Sequence, residues 1–165
     1  MQISQTKQEK ESLTPSLYDT DFYAWTQEQS ELLRDNKWSQ LDLANIIEEI
    51  ESLGKQQRAE LQNLLSLLIG HLLKWEYQSN RRSRSWLNTI RLQRMDVLEL
   101  LAENPSLKPY LQDSLQKAYK KGVLLAVGEM NLARKTFPPE CCYSLEEILS
   151  DRFYPGEPAA DDLME

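Results

Sequence analysis

The chain has 165 residues, of which 41% are hydrophobic and 27% charged, and it carries a formal net charge of −7 with only five glycines. This length fits one domain, and so few runs of Val, Ile and Thr leave a sheet-based fold without its usual material, so an all-α fold is predicted. The acidic balance excludes a generic binder of nucleic acid or anionic membrane surfaces.

The N-terminal residues 1–16 are polar and show no periodic apolar face. They are therefore predicted to form a disordered tail, and they lack the apolar stretch of a secretory signal. The longest apolar run, around residues 61–75, is interrupted by polar residues and falls short of a membrane span. Cys141 and Cys142 are adjacent and cannot join distant parts of the chain, which agrees with a reducing compartment. These features predict a cytoplasmic protein without a membrane partner.

Two amphipathic helices are predicted before residue 54. Asp19 or Thr20 would cap the first, which ends near residues 35–36. Ser39 with Asp42 would open the second. Its predicted buried stripe is Leu43, Ile46, Ile47, Ile50 and Leu53. Gly54 is either a C-terminal cap or a flexible point in a longer helix, and a break or kink is the favoured interpretation.

The most apolar segment follows, and the other helices are expected to pack around it. A third helix is predicted over residues 57–77, with the only histidine, His71, on its inward side. A fourth helix is capped by Ser83 or Ser85 and ends at Asn104, which precedes a proline. Its predicted stripe is Leu87, Ile90, Arg94, Val97, Leu98 and Leu101, so that one charge interrupts an apolar row.

A fifth helix is predicted from about residue 107 and is expected to stop at Pro138 and Pro139. Ala118, Gly122 and Ala126 recur at four-residue spacing on its stripe, which predicts close approach by another helix. Ser144 and Glu147 have the spacing of a capping box and open one short C-terminal helix. The predicted architecture is a compact bundle of four to five long helices over residues 17–158, with a disordered tail at residues 159–165.

Several short blocks occur in a recognisable order along the chain. Residues 17–25 read Leu-Tyr-Asp-Thr-Asp-Phe-Tyr-Ala-Trp, residues 47–54 read Ile-Glu-Glu-Ile-Glu-Ser-Leu-Gly, and residues 71–75 read His-Leu-Leu-Lys-Trp, followed by Ser85-Trp86 and Ile90. With residues 118–119 and 139–155, the chain resembles the bacterial, largely cyanobacterial DUF29 family over about residues 17–156. The resemblance implies a compact helical bundle and brings no catalytic residue to this chain.

Polar side chains fall on several of the predicted buried stripes. They are His71, Arg94, Glu129 and one of Glu48 or Glu51. Burying any of them alone is expensive, so they are expected to hydrogen-bond one another. One interpretation is a structural network that fixes how the helices register. The alternative is an acid–base or anion site, in which His71 moves protons and Arg94 holds an oxyanion.

Residues 74–94 carry six basic side chains and one acidic side chain, in contrast to the acidic segments on either side. The candidate binding residues of this segment are Lys74, Trp75, Arg81, Arg82, Arg84, Trp86 and Arg91. Arginines with tryptophan are typical of protein interfaces, so the expected partner is the chain's own acidic surface, a second subunit or another protein. Nucleic acid or a phosphate ligand is the alternative, because arginines and aromatics can clamp phosphates and stack on bases.

No metal site is predicted, because no glutamate lies three residues before His71 and the two cysteines lack zinc-ligand spacing. No cofactor is expected. His71 and Lys74 resemble the short motif of histidine phosphotransfer bundles, but Trp75 stands where those motifs carry glycine. The leading hypothesis is a non-enzymatic protein–protein interaction module. The alternatives are a nucleic-acid or phosphate binder and an enzyme with an acid–base site at His71, Arg94 and Glu129.

Overall fold

A computed structural model describes residues 15–164, and within them every regular element is helical. The α-helices are α1 (Leu17–Thr20), α2 (Phe22–Arg34), α3 (Leu43–Tyr77), α4 (Arg84–Glu103), α5 (Tyr110–Met130), α6 (Leu145–Leu149) and α7 (Asp161–Met164). The predicted all-α bundle with four long helices is confirmed. Residues 1–14, most of the predicted N-terminal tail, lie outside the described residues, whereas the predicted C-terminal tail contains α7.

The chain divides into two compact units, residues 1–52 and residues 53–165. The first unit holds α1, α2 and the beginning of α3, and the second holds the remaining elements. The single domain expected over residues 17–158 stays a prediction. No helix among residues 15–164 has both the length and the hydropathy needed to cross a membrane.

The helix caps of the first unit differ from the predicted ones. Ser16 caps α1, and Asp21 caps α2 by accepting a hydrogen bond from the amide of Ala24 at 3.0 Å. The predicted cap at Asp19 or Thr20 is therefore wrong, because both residues lie inside the single turn of α1. A lone turn this short leaves no apolar periodicity from which the sequence could reveal it.

Asp42 organises the turn between α2 and α3. One of its carboxylate oxygens accepts hydrogen bonds from Nε1 of Trp25 at 3.2 Å and from the side-chain amide of Asn45 at 2.7 Å. Its backbone amide donates to Oε1 of Gln29 at 2.8 Å. The contacts with Trp25 and Gln29 join α2 to the start of α3. The hydrogen bonds from Asn45, and to a smaller extent the one from Trp25, lower the pKa of Asp42.

Of the five residues in the apolar stripe predicted to be buried at the start of α3, four are exposed and Ile46 is half-buried. The exposed fractions are 56% for Leu43, 56% for Ile47 and 63% for Ile50. Among residues 15–52, the buried side chains are those of Trp25 and Gln29. Helical periodicity shows which face of a helix is apolar, but not whether another element covers it. The predicted burial of this stripe is therefore wrong.

The predicted break at Gly54 is also wrong, since α3 runs without interruption from Leu43 to Tyr77. A Cβ atom placed on Gly54 would have no neighbour within 4 Å, so this glycine serves no close packing contact. A glycine inside a helix costs only about 1 kcal/mol relative to alanine, which a long helix can absorb.

The hydrophobic core of the second unit is built around residues 61–75 of α3. Its main buried members are Leu61, Leu65, Leu68, Ile69, Leu72, Leu73, Trp75, Leu87, Ile90, Val97, Ala118, Tyr119, Ala126 and Ile148. The closest approach joins α3 to α5, where a Cβ on Gly122 would lie 3.0 Å from the backbone nitrogen of Gly70 and from the carbonyl of Ser66. The close approach predicted from the small residues of α5 is confirmed.

Helices α4 and α5 follow the sequence pattern with two differences. Ser83 caps α4 as predicted, but Leu98, expected in its buried stripe, is 50% exposed. Helix α5 ends at Met130, before the predicted stop at Pro138, because Asn131 takes a left-handed conformation with φ of 54°. Asparagine tolerates this conformation better than most residues, and it is a common helix terminator. The capping box of Ser144 and Glu147 opens α6 as predicted.

Candidate functional site

Two arginines of the basic segment hold α6 and the chain that follows it. Arg94 is buried, and it donates hydrogen bonds through Nε to the carbonyl of Ile148 at 2.9 Å and through Nη2 to the carbonyl of Phe153. Nη1 of Arg82 donates to the carbonyl of Glu157 at 2.6 Å. Burial lowers the pKa of Arg94, as it does that of Arg82. These side chains are therefore engaged by the chain's own backbone.

Two further arginines of α4 contact the last described residues. Nη2 of Arg84 donates to the carbonyl of Asp162 at 3.0 Å, and Nη2 of Arg91 donates to the carbonyl of Met164 at 2.8 Å. Both arginines are exposed, and so is Arg81, which precedes them. The basic segment thus makes its contacts mainly with the C-terminal residues of the same chain.

The aromatic and lysine members of the predicted surface lie inside the second unit. Trp75 is fully buried, and its ring centre is 5.5 Å from that of Tyr154. Lys74 is also buried; its ammonium pairs with the carboxylate of Glu129 and lies 4.5 Å from the ring centre of the half-buried Trp86. Lys74 therefore joins side chains of α3, α4 and α5.

His71 is half-buried on α3. Its Nδ1 is 3.0 Å from the carbonyl oxygen of Leu67, one turn earlier, so the neutral ring carries its proton on Nδ1 and donates it there. Burial lowers the pKa of His71, with a smaller contribution from Lys74, while the carbonyl of Leu67 and the charge of Glu129 oppose the shift. The imidazole is therefore neutral at pH 7.

The predicted polar network is brought together only in part. Glu129 pairs with Lys74 and acts electrostatically on His71. Arg94 instead directs its hydrogen bonds to backbone carbonyls of the C-terminal region. Glu48 and Glu51 are exposed residues of the first unit. Within residues 15–164, no group of three or more His, Cys, Asp or Glu side chains could hold a metal ion.

Sequence reasoning missed one candidate surface, the exposed apolar stripe formed by Leu43, Ile47 and Ile50 on α3. The apolar spacing was visible, but its exposure was not. The surrounding unit is strongly acidic, since residues 15–52 hold nine acidic and two basic side chains. The net charge of these residues is therefore −7, the same as that of the whole chain. The stripe therefore lies in a negative electrostatic field.

A family model described as "Domain of unknown function DUF29" matches residues 17–154. No curated protein and no solved structure matches the chain. The matched region contains α1 to α6 and every arginine of the basic segment, and it ends before α7. Because the match covers most of the sequence, the chain belongs to the DUF29 family.

Proposed function

We propose that this chain is a non-enzymatic protein–protein interaction module, in which the exposed apolar stripe of α3 binds a basic amphipathic helix of a partner. The observation that carries the proposal is the exposure of Leu43, Ile47 and Ile50 in a unit whose described residues, 15–52, bury only the side chains of Trp25 and Gln29. A unit that buries so little leaves apolar surface for another molecule to cover.

The spacing of the stripe suits a helical partner. Leu43, Ile47 and Ile50 stand at positions i, i+4 and i+7, so their side chains follow one line along α3. Two helices that pack through such lines bury both apolar faces together. Three aliphatic side chains on a rigid helix can thus serve as anchor positions for a partner helix.

Charge decides which partner the stripe favours. Residues 15–52, which include the stripe, carry nine acidic and two basic side chains. The positive charges of a basic helix would therefore be attracted to carboxylates at the rim of the contact. A second copy docking through the same face would bring two strongly negative units together. A Lys- or Arg-rich amphipathic segment of another protein is therefore the occupant that complements this unit in both apolarity and charge.

The test is a binding titration with two synthetic probe helices. Both are fluorescein-labelled amphipathic peptides with leucine on one face, and they differ only in carrying lysine or glutamate on the other. We expect the lysine peptide to bind the full chain at least about tenfold more tightly, which corresponds to roughly 1.4 kcal/mol. The double variant Ile47→Asn and Ile50→Asn should lose this binding without any change in net charge.

The matched control is Leu124→Asn, which changes an exposed leucine of α5 in the second unit and should leave binding unchanged. Equal affinity for the lysine and glutamate peptides would contradict the proposed partner chemistry. Sedimentation equilibrium of the protein alone tests the alternative that a second copy of the chain binds the stripe. Self-association that disappears in the Ile47→Asn and Ile50→Asn variant would assign the stripe to a second copy instead.

The two alternative functions have weaker support in the second unit. A nucleic-acid or phosphate ligand would need arginines that already donate to carbonyls of residues 148–164. An acid–base site would need His71 and Arg94 to face a common ligand, whereas Arg94 is directed to Ile148 and Phe153. Neither alternative has an observation as specific as the exposed stripe.

A further inference from the structure

The C-terminal residues 157–164, called the strap below, lie on an arginine face of α4 formed by Arg84 and Arg91. The two arginines are seven residues apart, two helical turns, and so point to the same side of α4. They donate to the carbonyls of Asp162 and Met164 at 3.0 and 2.8 Å, near the C-terminal end of α7. Carbonyls at a helix end have no partner within the helix, so cations are favourable there.

The chain before the strap is fixed much more firmly than the strap itself. Residues 148–156 are held by buried Arg94, and Pro155 is buried. Gly156 has φ of +84°, and a Cβ atom there would lie 3.3 Å from Arg82 and from Glu76. A tightly packed glycine with this backbone conformation marks the point where the fixed part ends.

The strap has few contacts for its length. Five of its eight residues are exposed, and only Ala159, Leu163 and Met164 are half-buried against the core. Besides the contacts of Arg84 and Arg91, the carbonyl of Glu157 accepts a hydrogen bond from Arg82. Ordering eight residues through so few contacts makes the strap easy to release, since each ordered residue loses conformational freedom.

The arginine face recognises backbone rather than particular side chains. Every hydrogen bond from Arg82, Arg84 and Arg91 to the strap ends on a main-chain carbonyl. The acidic residues of the strap, Glu157, Asp161 and Asp162, add attraction through their charge. A different peptide could therefore replace the strap if it were short and acidic and carried apolar side chains in the places of Leu163 and Met164.

The strap also stands apart from the family domain. The DUF29 match ends at residue 154, so Arg84 and Arg91 lie inside the matched region and the strap lies beyond it. The chain therefore places a segment from outside the family domain on a cationic face within it.

We propose that the arginine face of α4 is a peptide-binding site for short acidic segments that carry an apolar pair like Leu163 and Met164, and that the strap occupies this site in cis and must leave before such a segment binds. The inference is independent of the partner proposed for the stripe on α3. The ligand proposed here is acidic, whereas the partner helix proposed for the stripe is basic, and the two bind different residues of the chain.

The experiment uses the full chain and a fluorescein-labelled peptide with the sequence of residues 155–165. In the variant Leu163→Asn and Met164→Asn, the strap loses its two largest apolar contacts without gaining charge. We expect hydrogen exchange at its amides to accelerate. Fluorescence anisotropy should then show the labelled peptide binding this variant at least about tenfold more tightly than the wild type, because the site is open.

Adding Arg84→Gln or Arg91→Gln to the released variant should weaken peptide binding by roughly fivefold each, since a charge-assisted hydrogen bond is lost. Arg81→Gln is the matched control: its side chain makes no hydrogen bond with another residue in the described part of the chain, so affinity should not change. Unchanged hydrogen exchange in the released variant would show that Leu163 and Met164 do not hold the strap. Peptide affinity that is equal in both proteins, or insensitive to Arg84→Gln, would overturn the site.

Discussion

At the scale of single residues, the two side chains of the ion pair between Lys74 and Glu129 differ in how far they are buried. The side chain of Lys74 is 6% exposed, whereas that of Glu129 is 54% exposed. Removing the carboxylate would leave an ammonium in the interior without its partner. Removing the ammonium would leave a carboxylate that water can still reach. The two halves of one ion pair should therefore respond differently to substitution.

We expect Glu129→Gln to lower the free energy of unfolding by about 1–2 kcal/mol, less than for a fully buried pair because water screens the carboxylate. Lys74→Met should cost less, since a methionine of similar length can occupy the same space without a charge. Urea unfolding measures both. Glu140→Gln, at an exposed position, is the control and should stay within about 0.5 kcal/mol of the wild type. A larger loss from Lys74→Met than from Glu129→Gln would contradict this argument.

His71 gives a prediction about pH, because burial holds its folded-state pKa below the ordinary value of 6.5. As the pH falls below about 6.5, the unfolded chain takes up a proton before the folded chain does. The free energy of unfolding should therefore fall with decreasing pH through this window and level off, for this group, below the folded-state pKa.

An NMR titration of the single histidine measures its folded-state pKa directly, and urea unfolding at pH 7 and pH 5.5 measures the loss of stability. The variant His71→Gln should show a smaller loss between these two pH values, because it lacks the titrating group. A histidine midpoint at or above 6.5 would be inconsistent with the burial seen in the structure.

At the scale of helices, the two glycines of α5 have opposite surroundings. A Cβ atom on Gly122 would press on the backbone of Gly70 and Ser66 at 3.0 Å, whereas one on Gly128 would meet nothing within 4 Å. Alanine favours the helix by about 1 kcal/mol at either position. At Gly122 the overpacking against backbone atoms of α3, roughly 1–3 kcal/mol, opposes this gain.

We therefore expect Gly122→Ala to lower the free energy of unfolding by up to about 2 kcal/mol and Gly128→Ala to raise it by up to about 1 kcal/mol. Thermal unfolding of the two variants, which carry the same substitution in the same helix, measures the difference. If both variants shift the midpoint in the same direction by similar amounts, the contact between α3 and α5 does not depend on the absence of a side chain at Gly122.

The sequence predicts which segments are helical better than it predicts which of their faces are buried. The small residues Ala118, Gly122 and Ala126 indicate a close helix contact because only small side chains permit one. The continuity at Gly54 escapes sequence reasoning, because an exposed glycine in a long helix looks the same as one that ends a helix. The stripe containing Ile47 shows the same limit: periodicity identifies an apolar face, while burial depends on which other elements are present.

The candidate sites show a related limit. The basic segment stands out by composition, and Arg84 and Arg91 do make contacts with the chain itself. Their acceptors are carbonyls of Asp162 and Met164, and every residue has a carbonyl. No residue pattern could therefore indicate these partners. Trp75 illustrates the converse, because a tryptophan beside arginines suggests an interface, yet this one is fully buried.

At the scale of the whole molecule, the two units differ in how much apolar surface they bury. The second unit has a continuous core that includes Leu65, Leu72 and Ile90, all fully buried. Within residues 15–52 of the first unit, Trp25 is the one buried hydrophobic side chain. Local stability follows the number of buried apolar contacts, so the first unit should open more readily than the second.

Native-state hydrogen exchange resolves this difference along α3 itself, which contributes to both units. We expect the amides of α2 and of residues 46–52 to exchange faster than those of residues 65–75 under identical conditions. Trp25→Ala should accelerate exchange in the first group, because it removes the one hydrophobic side chain that is buried among residues 15–52 and its hydrogen bond to Asp42. It should leave residues 65–75 unchanged. If exchange along α3 is uniform, or if Trp25→Ala accelerates it equally in both groups, the two units unfold as one. The residues of the exposed stripe would then unfold cooperatively with the second unit, and they would not belong to a separate unit of low stability.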